Sequence, residues 1–475
     1  MKNLISFFSA LLMGSHLLVA QPVFFEITFG TPAGDYSRCL KQNASGSIFV
    51  AGFSENGPWG GIDIALSKIS RTGTVLWTKF YGDSLDQFAN WFVFSSDGYI
   101  MMVGETQTAT NGLDYFFTKL DTNGNVIWTR TYGDASNQSI RHIEQMPDGG
   151  YILTGFTNDA FGSNDTYLVK TDGAGNIQWT KTIGGTDNDY GFSTRVMPNG
   201  TLTTSGDTKS FGSGGYDINL THMDSGGNII WDYYYGDAFQ NGCQGLNITA
   251  DGRLLSFGET EIFMFSPFEF FLEMIDTNGN SQWRRTFGGV NADAMFGVVQ
   301  NPDLTFTFTG YSNSYNTGPL DLVVGKVDST GNIFWVRSYG GSGIDIGYDM
   351  VPSLDGGFLI CGHYTDTLPS DFYLLHVDQA GLLTGLNPGN IQGKAHLWPN
   401  PNPGSFSVSL PNTSTPVKIQ AEIYNGSGHL IKRVLKTTNA NYVLDFNELD
   451  LAPGLYNLVL SEGLNTWTTR FSVIK

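Results

Sequence analysis

Chemistry in this chain would have to come from carboxylates and aromatic rings. Its 475 residues include 44 Asp and Glu against 25 Lys and Arg, with seven His, three Cys and 14% Phe, Trp and Tyr. Paired carboxylates hydrolyse glycosidic bonds, and such a pair can sit unmarked among so many acids. Other chemistries leave plainer marks, and the sequence has none of them: no G-x-S-x-G elbow, no H-E-x-x-H, no P-loop and no EF-hand loop. Cys39, Cys243 and Cys361 are odd in number and lack C-x-x-C spacing, which excludes a disulfide framework and a zinc motif. They read as small buried apolar residues. No cofactor, metal or catalytic residue is assigned.

Three sets of candidates recur at fixed spacing. Asp35, Asp86, Asp189, Asp293 and Asp345 follow a turn glycine by four or five residues. They would either ring a mouth and hold a hard cation or, the favoured reading, close Asx-turns. Asp63, Asp114, Asp165, Asp217, Asp321 and Asp371 recur at the head of a strand, where a side-chain cap on a turn explains all six. The third set is aromatic. Trp59, Phe161, Phe211 and Tyr315 each stand alone in a loop of Gly, Ser and Asn, and one loop instead carries an apolar run with Phe263 and Phe265. These six are the candidate binding residues. Exposed, they would make a stacking platform for sugars or peptide side chains. For the run at 262–271, packing onto neighbouring units is favoured, because exposed Phe clusters are a solubility liability. His222 and His376 occupy a position filled elsewhere by Lys68, Lys119, Lys170 and Lys326, and read as variants of a repeated surface position.

The elements that must position these residues come from a repeat. Trp77, Trp128, Trp179, Trp231, Trp283 and Trp335 recur at steps of 51 or 52, each followed five residues later by a glycine. Such a period marks a repeat architecture. Each period divides into four strand-like runs separated by Gly, Asn and Asp turns, with no helical pattern. Four antiparallel strands in about 50 residues, repeated, are a β-propeller blade. The Asp-x-x-Gly turn occurs seven times, the last without a tryptophan after it, while residues 23–29 supply a fourth strand with no blade before it. The expectation is an all-β chain: a seven-bladed β-propeller over 21–386, closed by its N-terminal strand, with the tryptophans packed between sheets. Long loops should crowd one mouth, where sites usually lie.

Residues 1–20 read as a signal peptide cleaved after Ala20, and no later run has the ~18 apolar residues of a membrane span. Residues 387–397 read as a linker, and 398–475 as a small Ig-like β-sandwich of closely spaced strands. This last region resembles the type A C-terminal sorting domain of Bacteroidetes type IX secretion cargo. The likeness lies in Pro399-Asn-Pro with Gly404 and Phe406, Ile423-Tyr-Asn-Gly-Ser-Gly428, Pro453-Gly-Leu-Tyr456 and the terminal Arg470-Phe-Ser-Val-Ile-Lys475. It implies the secretion machinery and its sortase as partners, passage across the outer membrane, and release or attachment at the cell surface. The repeats resemble SBBP-type bacterial propeller repeats, which imply no single activity.

Net charge is −19, and residues 394–475 are slightly basic, so the repeats carry the acidity. That argues against nucleic acid and anionic membranes as partners. The leading reading is a secreted or cell-surface binding scaffold for an extracellular glycan or protein. The rivals are a propeller-fold polysaccharide hydrolase or lyase, and a structural or adhesive surface component.

Overall fold

A computed structural model of the chain describes residues 24–108, 112–133, 136–158, 162–263, 266–315, 319–365, 369–383 and, with short breaks, 391–474. The expected signal peptide and residues 387–390 of the expected linker lie outside the described residues.

Every described element is a strand. Up to Val377 they form seven four-stranded antiparallel sheets in a propeller-like arrangement. The first holds Asp35–Gln42, Ile48–Glu55, Ile62–Ile69 and Val75–Tyr81, from the inside outwards. Burial follows that order. Ile48–Glu55 is buried along all but its last residue, whereas Val75–Tyr81 is exposed or half-buried throughout. The tight turns explain the repeated Asp-x-x-Gly-Asn signature. Asp121 Oδ1 accepts the N–H groups of Asn123 and Asn125, both at 2.8 Å, and Gly124 takes φ +75°, which an L side chain resists.

Each sheet packs on the next, and the seventh packs on the first. At that last junction Leu40 N donates to Asp349 Oδ2 at 3.0 Å and Lys41 Nζ pairs with the same oxygen at 2.8 Å. The seventh sheet consists of Ile346–Pro352, Phe358–Tyr364 and Asp371–Val377, completed by Phe25–Phe29. Thus the N-terminal strand pairs with Asp371–Val377, Phe25 opposite His376 and Phe29 opposite Phe372.

The repeated tryptophans differ from expectation in degree: all six are half-buried. Each lies over the turn glycine of the following sheet. A Cβ on Gly124 would meet Trp77 Cη2 at 3.0 Å, and one on Gly175 would meet Trp128 Cη2 at 2.9 Å. Four residues on, Tyr81 donates its hydroxyl to Gly124 O at 2.8 Å, as Tyr132 does to Gly175 O and Tyr235 to Gly279 O, both at 2.5 Å. Ring and hydroxyl together hold one sheet's edge to the next sheet's turn.

The position of His222 and His376 is not a surface position, as the sequence reading had it. His222 is 8% exposed and His376 1%. The register is shared: Lys68, Lys119, Lys170, His222 and Lys326 each lie directly across from a repeated tryptophan. His222 stacks on Trp231 at 5.0 Å and 15°, with Thr203 Oγ1 2.8 Å from its Nδ1. At the same position Lys170 is 4% exposed, while Lys68, Lys119 and Lys326 are half-buried.

The C-terminal unit has two sheets. The larger orders Ile391–Lys394, Asn465–Val473, Gly454–Glu462, Lys418–Asn425 and Leu430–Thr437; the smaller holds His396–Trp398, Phe406–Ser409 and Val443–Phe446. Both contribute to one core, with Val408 and Phe446 from the small sheet and Ile423, Leu458 and Leu460 from the large one. One of these strands, Ile391–Lys394, falls within the stretch read as a linker, and His396–Trp398 begins in it. Ile391–Lys394 runs parallel to Asn465–Val473, so the strands of this unit begin at 391 rather than 398.

Candidate functional site

Loops gather at one edge of the seven sheets as their hydrogen bonds require. The segment leading into each inner strand bonds to the loop between second and third strands of the preceding sheet. Examples are Asp35 N to Ser370 O at 2.8 Å, Asn241 N to Tyr216 O at 2.8 Å and Asp345 N to Leu320 O at 2.7 Å. Of the five aspartates considered for a cation, four are committed here. Asp35, Asp189, Asp293 and Asp345 are buried, and each accepts a backbone N–H from four residues earlier: Thr31, Gly185, Gly289 and Gly341, at 2.5–3.0 Å. Asp86 instead caps the neighbouring loop through Ile62 N at 2.9 Å. The first four aspartates cap the turn that precedes them, rather than closing the expected Asx-turns, in which the N–H lies two residues on. Asp63 and Asp217 cap as expected, accepting Trp59 N at 2.9 Å and Ser213 N at 2.5 Å. Burial raises the pKa of Asp35, Asp63 and Asp217. Among the described residues no group of three or more His, Cys, Asp or Glu is placed to hold a metal.

Of the six candidate aromatics, four are described, and all four are exposed: Trp59 and Phe263 at 59%, Phe211 at 40% and Tyr315 at 37%. Phe161 and Phe265 lie outside the described residues. The packing favoured for the apolar run fails at its start, since Ile262 and Phe263 face solvent, and holds at its end, where Phe270 and Phe271 are buried in a strand. Each exposed ring belongs to its own sheet. Phe211 stacks on Tyr234 at 5.0 Å, and the Tyr315 hydroxyl donates to Gly288 O at 3.2 Å, but no ring contact joins any two of the four. Among the described residues the mouth carries spaced aromatics, with no ring contact between them.

A second feature escaped the sequence reading. Every inner strand has a register shift at the same place, which leaves one extra residue unpaired: Arg38, Asn90, Arg141, Phe192, Gln244, Phe296 and Tyr348. A β-bulge re-aims its residue out of the ladder. All seven line a single cavity of about 130 Å³ at the centre of the array. The signal was present as a position three residues after Asp35, Asp189, Asp293 and Asp345 whose residue type changes freely.

The cavity is electrostatically uneven. Arg38 lies over Tyr348 at 4.4 Å and Phe53 at 5.4 Å; Arg141 lies over Phe156 at 5.5 Å. Among the described residues neither guanidinium has a hydrogen-bond or ion-pair partner, and Arg38 Nε is buried without an acceptor. Arg195, in the same lining, is the contrast. Its nitrogens reach Leu246 O at 2.6 Å, Glu144 Oε2 at 3.0 Å and Asn247 Oδ1 at 2.9 Å. The nearby acids are occupied. Glu105 accepts Asn90 Nδ2 at 3.1 Å and the Ser139 hydroxyl, Asp207 accepts Cys243 N at 2.6 Å, and Glu259 accepts Gln244 Nε2 at 3.2 Å. Burial pushes Asp207 well above the usual carboxylate range and Glu259 up to about 7, while burial and the charge of Arg38 push His363 down to about 4. The lining thus holds Arg38, Arg141 and Arg195, with Glu144 paired to Arg195 and the charge of Glu105 acting on Arg141.

These features define an all-β, propeller-like array followed by a two-sheet C-terminal unit. Residues 396–475 match the family of secretion system C-terminal sorting domains, and the chain is accordingly exported by type IX secretion, to the outer surface or beyond. The remainder has distant relatives. The regulatory protein FlaEY of Caulobacter vibrioides is 21% identical over 311 residues, which cover 58% of this chain and 29% of that one. Among solved structures, PorZ, an essential bacterial surface component of the type-IX secretion system of Porphyromonas gingivalis, is 11% identical, with a TM-score of 0.43. That match covers 92% of this chain and 59% of PorZ. The β-propeller domain of the Trilobed protease from Pyrococcus furiosus is 12% identical, with a TM-score of 0.42, covering 73% of this chain and 94% of that domain. The chain thus spans less than two thirds of the length of both FlaEY and PorZ. Among the described residues no helix is long and apolar enough to cross a membrane.

Proposed function

We propose that the chain is a seven-bladed β-propeller carried to the cell exterior by an Ig-like sorting domain, where it acts as a binding scaffold for an extracellular glycan or protein. The observation that carries this reading is the exposure of Trp59, Phe211, Phe263 and Tyr315 on loops at one mouth. A flat ring held on a rigid frame stacks on sugar faces and peptide side chains alike. Their spacing on blades one, four, five and six favours an extended ligand that touches several blades over a small one seated in a single pocket.

A glycan array and a reducing-sugar release assay, both on the mature chain, test this. Binding without release, weakened when Trp59 and Phe263 are changed to Ala, supports the scaffold. Release of sugar would replace it with a hydrolase or lyase. Silence in both would leave a structural or adhesive role.

A further inference from the structure

The bulge residues at the centre of the array carry chemistry that the mouth does not. We propose that Arg38 and Arg141 form an anion site in the central cavity. It takes a small organic carboxylate, with its charged end on the two guanidiniums and its apolar body against Phe192, Phe296 and Tyr348. Three observations support this. Arg38 Nε is buried without an acceptor among the described residues, and Arg141, the more exposed of the two, lines the same cavity of about 130 Å³, room for about four waters. Their planes are already held by stacking on Tyr348, Phe53 and Phe156, so little side-chain freedom is left to lose when an oxyanion arrives. And the lining beside Arg38 is aromatic, Phe296 lying 5.3 Å from Tyr348, which suits a ligand with an apolar body better than a fully hydrated inorganic ion.

Placement by bulges makes the pair a local feature of the inner strands. Residues 38 and 141 are unpaired in their ladders, so their side chains change without loss of a cross-strand partner. This separates the site from the fold.

Benzoate, inorganic phosphate and neutral benzyl alcohol, each titrated calorimetrically into the mature chain, test the proposal. Benzoate is expected to bind once per chain and benzyl alcohol not at all. Arg38→Gln and Arg141→Gln should each weaken benzoate at least about tenfold, as expected for one charge-assisted hydrogen bond. Unchanged affinity in both variants, or no saturable benzoate binding, overturns the site. Phosphate binding as tightly as benzoate overturns the role of the aromatic wall. A test on the native sequence stands beside these in case a variant fails to fold. Benzoate should protect Arg38 and Arg141, but not Arg71, which does not line the cavity, from phenylglyoxal, read by peptide mass spectrometry. Equal labelling with and without benzoate contradicts the proposal.

Discussion

The ring of Phe25 lies on Gly73 as the ring of Trp77 lies on Gly124: a Cβ on either glycine would come within 3.0 Å of the ring. Phe25 also pairs with His376 as Trp231 pairs with His222. The N-terminal strand therefore contributes the seventh copy of the contact that joins each sheet to the next turn, with phenylalanine in place of tryptophan.

Closure should depend on that contact. Phe25→Ala is expected to destabilise the array by about 2 kcal/mol, below the 3–5 kcal/mol of a fully buried Phe because the ring is half-buried. Deleting residues 21–30 bares the edge of Asp371–Val377, and aggregation or loss of cooperative unfolding should follow. Denaturant melts and light scattering check both. Unchanged melting of a monomeric deletion variant would contradict the closure.

Two glycines separate the inter-sheet contact from simple turn geometry. Gly175 and Gly200 have φ of +79° and +83°, but only Gly175 faces a ring, Trp128. Gly200→Ala should cost about 1 kcal/mol, from the backbone alone. Gly175→Ala should cost about 1–2 kcal/mol more, and that excess should shrink in a Trp128→Ala background. Equal costs at the two glycines in chemical denaturation would show that the ring contributes nothing.

The repeat was legible because its marks are local. Tryptophan, turn glycine and Asp-x-x-Gly-Asn recur because every sheet needs the same turn and the same edge contact. Positions such as Lys170 are hard to place from sequence because lysine signals surface, yet Lys170, across the ladder from Trp179, is 4% exposed. The cavity was not legible for the opposite reason. Arg38, Phe192 and Tyr348 share a place and no chemistry, and only the bulges that unpair them reveal that they converge. Exposure of Phe263 was equally hidden, since an apolar run reads alike in a loop and in a core.

The three thiols should be inert in the folded chain. Cys39, Cys243 and Cys361 are fully buried, and burial raises all three, Cys39 and Cys243 to about 12. The thiolate is the reactive form, so at pH 8 almost none is present. Ellman's reagent is expected to find no thiol in native protein and three in guanidinium; a fast-reacting thiol in the native chain would contradict this burial.

Glu259 should make stability depend on pH. Burial raises its folded pKa to about 7, above the ordinary 4.5, and its Oε2 is buried without a partner. Between those values the folded state holds a proton that the unfolded state has lost, so stability falls as pH rises through this window. Below 4.5 both states are protonated and the effect vanishes. Glu259→Gln should therefore gain on the order of 2 kcal/mol at pH 8 and nothing at pH 4, measured by denaturant unfolding. A gain of equal size at both would assign the effect to packing instead.

Export followed by binding outside the cell is tested most directly by removing the C-terminal unit. Because Ile391–Lys394 pairs with Asn465–Val473, the clean truncation begins at 391. The two units have separate cores, so the array should keep its melting temperature. Surface labelling and fractionation of cells that secrete the full chain should then find the truncated chain folded in the periplasm and absent from the surface and the medium. Surface display or release of the truncated chain at the level of the full one would contradict the account.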